Sequence, residues 1–205
     1  TFFRQAQATS FGGVPYTYEM LERMRFMRME LPTLTTMTQA GGKLTPELHE
    51  KFAQYAMENG KRFVVMYGQC EATARMGYLP PEKAAEKKGS MGIAIPGGRF
   101  HLIDGDGTEI TEPFATGELV YEGKNVTLGY AECGEDLIKG DERHGVLQTG
   151  DMAQILLYRR PQEALPENIR EPGKPGRSRK AGQRKVRNGS GQCGSGRPSV
   201  PVFDC

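Results

Sequence analysis

No stretch of the chain approaches the roughly eighteen consecutive apolar residues that a membrane-spanning helix requires, so a span is excluded. Cysteine is scarce. Cys70, Cys133, Cys193 and Cys205 show no C-x-x-C or similar metal spacing, and a disulfide framework is not expected at this length. The histidines, His49, His101 and His144, are not paired for zinc either. No secretory leader opens the sequence, which starts at Thr1 rather than Met, so a fragment of a cytoplasmic protein is expected. Apolar residues make up 37% of the 205 and the mean hydropathy is −0.56. That is low for a compact domain, yet above disordered or collagen-like composition.

The near balance of 27 Lys+Arg and 25 Asp+Glu hides a split. Residues 154–205 hold 11 basic and 4 acidic side chains, whereas residues 1–153 hold 16 and 21. The tail is also dense in proline and glycine, which remove backbone donors and raise the entropy cost of ordering. A disordered basic tail is expected over 154–205. No aromatic interleaves its arginines before Phe203, so base stacking has no platform and nucleic acid is not an expected partner.

Residues 1–153 have the pattern of an α/β segment. A short β-prone stretch at 34–37 runs into the Gly41-Gly42 turn. Thr45 then offers an N-cap hydroxyl with Pro46 at the first helical position, and Asn59-Gly60 supplies a left-handed stop. The apolar run Phe63-Val64-Val65-Met66 is bounded by glycines and predicts a strand buried on both faces, as in a parallel sheet. After Gly89 the pattern turns to short alternating strands at 99–103 and 118–121. Asp104-Gly105-Asp106-Gly107 reads as a hairpin turn, since a calcium loop would need further acidic ligands. The expected fold class is α/β, a mostly parallel sheet with helices over 1–90, then a small distorted β-barrel over 91–153.

Tyr67-Gly68-Gln69-Cys70-Glu71 places a glycine turn and a carboxylate at the carboxyl end of the expected buried strand, where open α/β sheets bind ligands. Glycine there lets backbone N–H groups approach phosphate, and the carboxylate suits Mg²⁺. The segment resembles the Y-G-x-T-E motif of the adenylate-forming superfamily of acyl-CoA synthetases and adenylation domains. Three more blocks follow that family's order. Gln39-Ala40-Gly41-Gly42-Lys43-Leu44 is similar to the G-G-x-L turn beside the adenine pocket. Gly117-Glu118-Leu119 with Gly123, Val126, Gly129 and Tyr130 resembles its G-E-L block. Leu147-Gln148-Thr149-Gly150-Asp151 resembles its T-G-D motif, and Phe11-Gly12-Gly13-Val14-Pro15 is similar to its G-V-P turn.

The resemblance implies large-domain architecture and a two-step reaction: ATP-dependent adenylation of a carboxylic acid, then transfer to coenzyme A or to the phosphopantetheine of an acyl carrier protein. It implies that Glu71 ligates Mg²⁺, that Asp151 accepts from the ribose hydroxyls, and that Tyr67 stacks on adenine. Gly41, Gly42, Gly68 and Gln69 would line the nucleotide. By position Glu71 and Cys70 are the catalytic candidates; Cys70 stands where the family has Thr, a thiol is the poorer donor, and the other reading of it is a buried, inert thiol. No Asp in the pocket segment suits an amino-acid ammonium, which favours fatty or other organic acids.

The family's phosphate loop would precede residue 1, and its lid with a catalytic lysine would follow Asp151. One set of permitted codons for residues 158–165, read one base on, gives I-V-G-R-K-K-R, similar to the family's G-R-x-K hinge. The tail is therefore expected to be a frameshift product in place of the lid, leaving an inactive fragment. Two other readings stand beside this one: a carrier-protein-loading adenylation domain, and a non-enzymatic interaction protein acting through the basic tail.

Overall fold

The computed structural model describes residues 2–158 and 200–204. A short helix α1 (Phe2–Gln5) leads to strand β1 (Ser10–Gly13), helix α2 (Pro15–Arg23), β2 (Thr36–Gln39), α3 (Pro46–Glu58) and β3 (Arg62–Tyr67). The rest is nearly all β: β4 (Gly77–Tyr78), β5 (Ser90–Ala94), β6 (Gly98–Ile103), β7 (Glu109–Ile110), β8 (Thr116–Gly123), β9 (Val146–Tyr158) and β10 (Val200–Asp204).

The local signals act as the sequence suggests. Thr45 Oγ1 accepts from the Leu48 N–H at 3.4 Å, Pro46 opens α3, and the chain leaves the helix through Asn59 and a left-handed Gly60 (φ +62°). Val14 is the N-cap of α2 and Pro15 its first residue, so the expected G-V-P turn is the junction of β1 with that helix. Asp104 Oδ1 accepts from the N–H groups of Asp106 and Thr108 at 2.9 and 2.8 Å, which makes 104–107 the turn of the β6–β7 hairpin.

Strands β1, β2 and β3 are parallel, with Gln39 in register with both Gly13 and Val65. Every later pairing described is antiparallel, so the parallel part is three strands and not most of the sheet. The order runs β1-β2-β3-β4-β5-β10-β9-β8-β6-β7. It is open at both ends, and among the described residues no pairing closes the expected barrel. Two boundaries shift. The expected strand at 34–37 forms at Thr36–Gln39, and β9 runs past residue 153 to Tyr158, with Gln154 paired to Thr116. At the far end of the expected tail, β10 pairs with β5. The rest of the expected frameshift segment, 159–199, lies outside the described residues.

Two cores hold the sheet. Around the parallel strands, Tyr18, Phe26, Phe52 and Phe63 pack edge to face or tilted, the Tyr18 and Phe52 centroids 4.8 Å apart at 90°. Each fully buried ring of this size contributes about 1.5–3 kcal/mol. Around the antiparallel strands, Phe100, Leu102, Leu119 and Tyr121 form the second core. Strand β3 is not buried on both faces as expected. Phe63 is buried while Val64, Val65, Met66 and Tyr67 are half-exposed, because the carboxyl end of the strand opens onto a cavity.

Candidate functional site at the strand ends

The carboxyl ends of β2 and β3 border a cavity of about 330 Å³, whose wall includes Gln39, Gly42, His49, Tyr67, Gly68 and Asp151. A more open hollow of about 690 Å³ beside Arg28, Tyr55 and Lys61 holds none of the motif residues.

Asp151 is fixed from two strands. The Tyr67 hydroxyl donates to its Oδ2, and Gln69 Nε2 donates to the same oxygen at 3.1 Å and to the Thr149 carbonyl at 2.9 Å. The Asp151 N–H donates to Thr149 Oγ1 at 3.1 Å, and that hydroxyl donates to the Leu119 carbonyl at 2.8 Å. A residue at the end of β3 and one in β9, more than eighty positions apart, are thus locked together. The bonds gather on Oδ2, and among the described residues none is recorded on Oδ1. A carboxylate is acceptor-only and has room for several donors.

The glycines have reasons of their own. Gly41 and Gly42 adopt φ of +76° and +144°, which L side chains rarely adopt, with Val14 and Pro15 packed 3.2 Å from where a Cβ would sit. At Gly68 a Cβ would meet the Ala74 carbonyl oxygen at 2.5 Å. Gly68 thus both lines the cavity and lets the returning backbone at Ala74 and Arg75 pass close behind it.

Glu71 lies in the single 3-10 turn Cys70–Ala72. Tyr130 donates to Glu71 Oε1 at 2.5 Å, the Thr127 N–H donates to its backbone carbonyl at 2.8 Å, and the Arg143 guanidinium sits 4.5 Å over the Tyr130 ring. The Tyr130 hydroxyl, chiefly, holds the Glu71 carboxyl below the usual range, with its own N–H and the Arg143 charge acting the same way. The Glu71–Tyr130–Arg143 link joins positions far apart in sequence; the motifs pointed to Glu71 and contained Tyr130, but nothing pointed to Arg143 or to the link itself.

Cys70 is a correction: it is exposed, not buried, because it begins the turn on the solvent side of β3. His49 was missed as a site residue, and a lone histidine on a helix carries no signal for one. It is 1% exposed in α3, where the Gly89 N–H donates to Nδ1 at 3.3 Å, so the proton resides on Nε2, which donates to the Ala84 carbonyl at 2.8 Å. Gln39, also 1% exposed, donates from Nε2 to the Gly42 carbonyl at 2.6 Å, and among the described residues its buried Oε1 has no partner.

Among the described residues no three His, Cys, Asp or Glu side chains cluster to hold a metal ion, and no helix is long and apolar enough to cross a membrane. Mg²⁺ needs no such cage; one or two carboxylates with substrate phosphates suffice.

The cavity lies at the carboxyl ends of the parallel strands, where open α/β sheets place their ligands. Comparison with known proteins gives the family. The family described as AMP-binding enzyme matches residues 1–131. Indoleacetate–CoA ligase of Aromatoleum aromaticum is 30% identical over 143 residues, covering 68% of this chain and 26% of that protein. 2-Succinylbenzoate–CoA ligase of Bacillus pumilus is 31% identical over 136 residues, covering 66% of this chain and 27% of that protein. Among solved structures, VinN superposes with a TM-score of 0.62 at 29% identity, covering 75% of this chain and 38% of that one. The O-succinylbenzoate coenzyme A synthetase of Bacillus subtilis, solved in complex with ATP and magnesium ion, shares the fold at a TM-score of 0.59. The chain belongs to the AMP-binding enzyme family, and it spans about a quarter of the length of these curated relatives.

Proposed function

We propose that this chain is the nucleotide-binding part of an AMP-forming acid–thiol ligase, which adenylates a small carboxylic acid with ATP and passes the acyl group to coenzyme A. The observation that carries the reading is the convergence of Tyr67 and Gln69 on one oxygen of Asp151, in the wall of the cavity that Gly41, Gly42 and Gly68 also line. With one carboxylate oxygen held, the other is oriented to accept from the vicinal hydroxyls of a ribose. The Tyr67 ring supports the base from the same wall. Glu71, whose pKa the Tyr130 hydroxyl lowers, would hold Mg²⁺ together with phosphate oxygens, and the ion would neutralise charge developing on the phosphates. The protein's part is chiefly alignment and exclusion of water, since little covalent chemistry falls to it. The CoA-ligase relatives support coenzyme A as the acceptor and an organic acid as the substrate.

Calorimetry of Mg·ATP with the wild-type chain and with a Glu71→Ala, Asp151→Ala double variant tests the assignment. Binding to the wild type that disappears in the variant is expected. Equal binding to both, or none to the wild type, refutes it.

A further inference from the structure

Two separate stretches of chain build much of the cavity wall. One is the Gly41-Gly42 turn, which runs through Lys43, Leu44 and the Thr45 cap straight into α3. The other is Gly89, Ser90 and Met91, at the end of the strap that joins β4 to β5. The strap departs where the Leu79 N–H donates to the Val65 carbonyl at 2.8 Å, and it rejoins the sheet where Ser90 pairs with β10 and Ile93 with β4. Between those points Ala84 and Gly89 belong to no strand or helix, and backbone groups in such a place need partners from elsewhere.

His49 supplies both partners. Its Nε2 donates to the Ala84 carbonyl at 2.8 Å and its Nδ1 accepts from the Gly89 N–H at 3.3 Å, so one ring carries both ends of the stretch 84–89. The ring is 1% exposed and meets Phe63 edge to face, with centroids 5.7 Å apart. An imidazole with its proton on Nε2 gives at one nitrogen and receives at the other, which no apolar side chain of that volume can do. Lys88 and Glu50 form an ion pair at 2.6 Å between the same two elements, but both side chains are exposed and such pairs add little. His49 lies in the first turns of α3, so the helix that follows the glycine turn is bonded through this residue to the other part of the wall.

We propose that His49 is a positioning residue of this site: by tying α3 to Gly89 it sets the spacing between two parts of the cavity wall, and with it the fit of the nucleotide. The proposal rests on the nucleotide reading of the cavity but can fail separately from it. Two variants of the full chain take the ring's bonds apart. In His49→Asn the amide oxygen takes the place of Nδ1 and keeps the Gly89 bond; in His49→Gln the amide nitrogen reaches the place of Nε2 and keeps the Ala84 bond. Each variant loses one buried bond, so a merely structural role would lower Tm and AMP affinity equally in both. Positioning predicts a split, because Gly89 lines the cavity. In His49→Gln the Gly89 amide should exchange with deuterium roughly fivefold to tenfold faster than in wild type, and AMP should bind more weakly by a similar factor. In His49→Asn both quantities should stay within about twofold of wild type. AMP affinity lowered equally in the two variants, or Gly89 exchange unchanged in His49→Gln, overturns the proposal and leaves the nucleotide site standing. Failure of the wild type to bind AMP removes the nucleotide reading and the role given to His49 with it. In the wild type itself the ring nitrogen shifts should show the Nε2–H tautomer, with the Gly89 amide protected from exchange. The Nδ1–H tautomer, or an unprotected Gly89, overturns the proposal even if neither variant folds.

Discussion

Gly68→Ala is the substitution for which the structure gives the sharpest expectation. A Cβ there would lie 2.5 Å from the Ala74 carbonyl oxygen, 2.6 Å from its carbon and 2.8 Å from the Arg75 nitrogen. All three atoms are backbone, so no side chain can swing aside. The backbone itself is pinned, since the Ala74 N–H donates to the Gln69 carbonyl and the Met76 N–H to the Tyr67 carbonyl, each at 2.9 Å. Thr73 and Ala74 are already left-handed, at φ of 54° and 60°, and have little conformational room left. Overpacking of this kind costs about 1–3 kcal/mol. For a chain of this size each kcal/mol lowers Tm by roughly 2–4 °C, so a cost near 2 kcal/mol lowers it by roughly 4–8 °C. Gly105→Ala is the control: nothing lies within 4 Å of its Cβ position, and a change within about 0.5 kcal/mol is expected. Thermal unfolding of wild type and both variants by circular dichroism reads the difference. If Gly68→Ala melts together with Gly105→Ala, the account of why glycine stands before Gln69 is wrong.

Tyr130→Phe removes the largest influence holding down the Glu71 pKa, so the carboxyl should titrate at higher pH in the variant, as followed by carboxyl carbon shifts in NMR. Because the folded-state pKa is lowered, the link stabilises the fold above the unfolded pKa and is lost as pH falls through the lowered value; the variant, which keeps the backbone bond and the Arg143 charge, should show a weaker acid-side dependence, and an unchanged titration contradicts the geometry. Thr45→Ala removes the α3 cap and should cost about 1 kcal/mol in denaturant unfolding, with loss of less than about 0.3 kcal/mol counting against the cap.

What could be read from the sequence was what is local. Thr45-Pro46 and Asn59-Gly60 bracket α3 because capping depends on neighbouring residues alone, and the 104–107 turn follows from one aspartate and a glycine. The strand Ser10–Gly13 escaped because two of its four residues are glycines with no pattern to show, and Gly77–Tyr78 is too short to carry one. The end of β9 was misplaced because residues 154–158, which carry no charge or proline, were grouped with the basic, proline-rich stretch that begins at Arg159, whereas pairing with β8 carries the strand through Gln154. In the site, motif residues were found individually and their relations were not. That Tyr67 spends its hydroxyl on Asp151, or that Glu71 is held by Tyr130, depends on contacts across 84 and 59 positions. Cys70 was placed inside because thiols favour interiors; a turn residue beside a strand end follows its backbone instead.

The central claim is that the strand ends around Asp151 bind an adenine nucleotide, and amide chemical shifts during titration with AMP test it most directly. The account predicts concentration-dependent shifts centred on Gly41, Gly42, Gly68, Gln69 and Asp151, with the residues around Arg28 and Lys61 unmoved. Shifts confined to that second hollow, or no saturable shift at the strand ends, would contradict it.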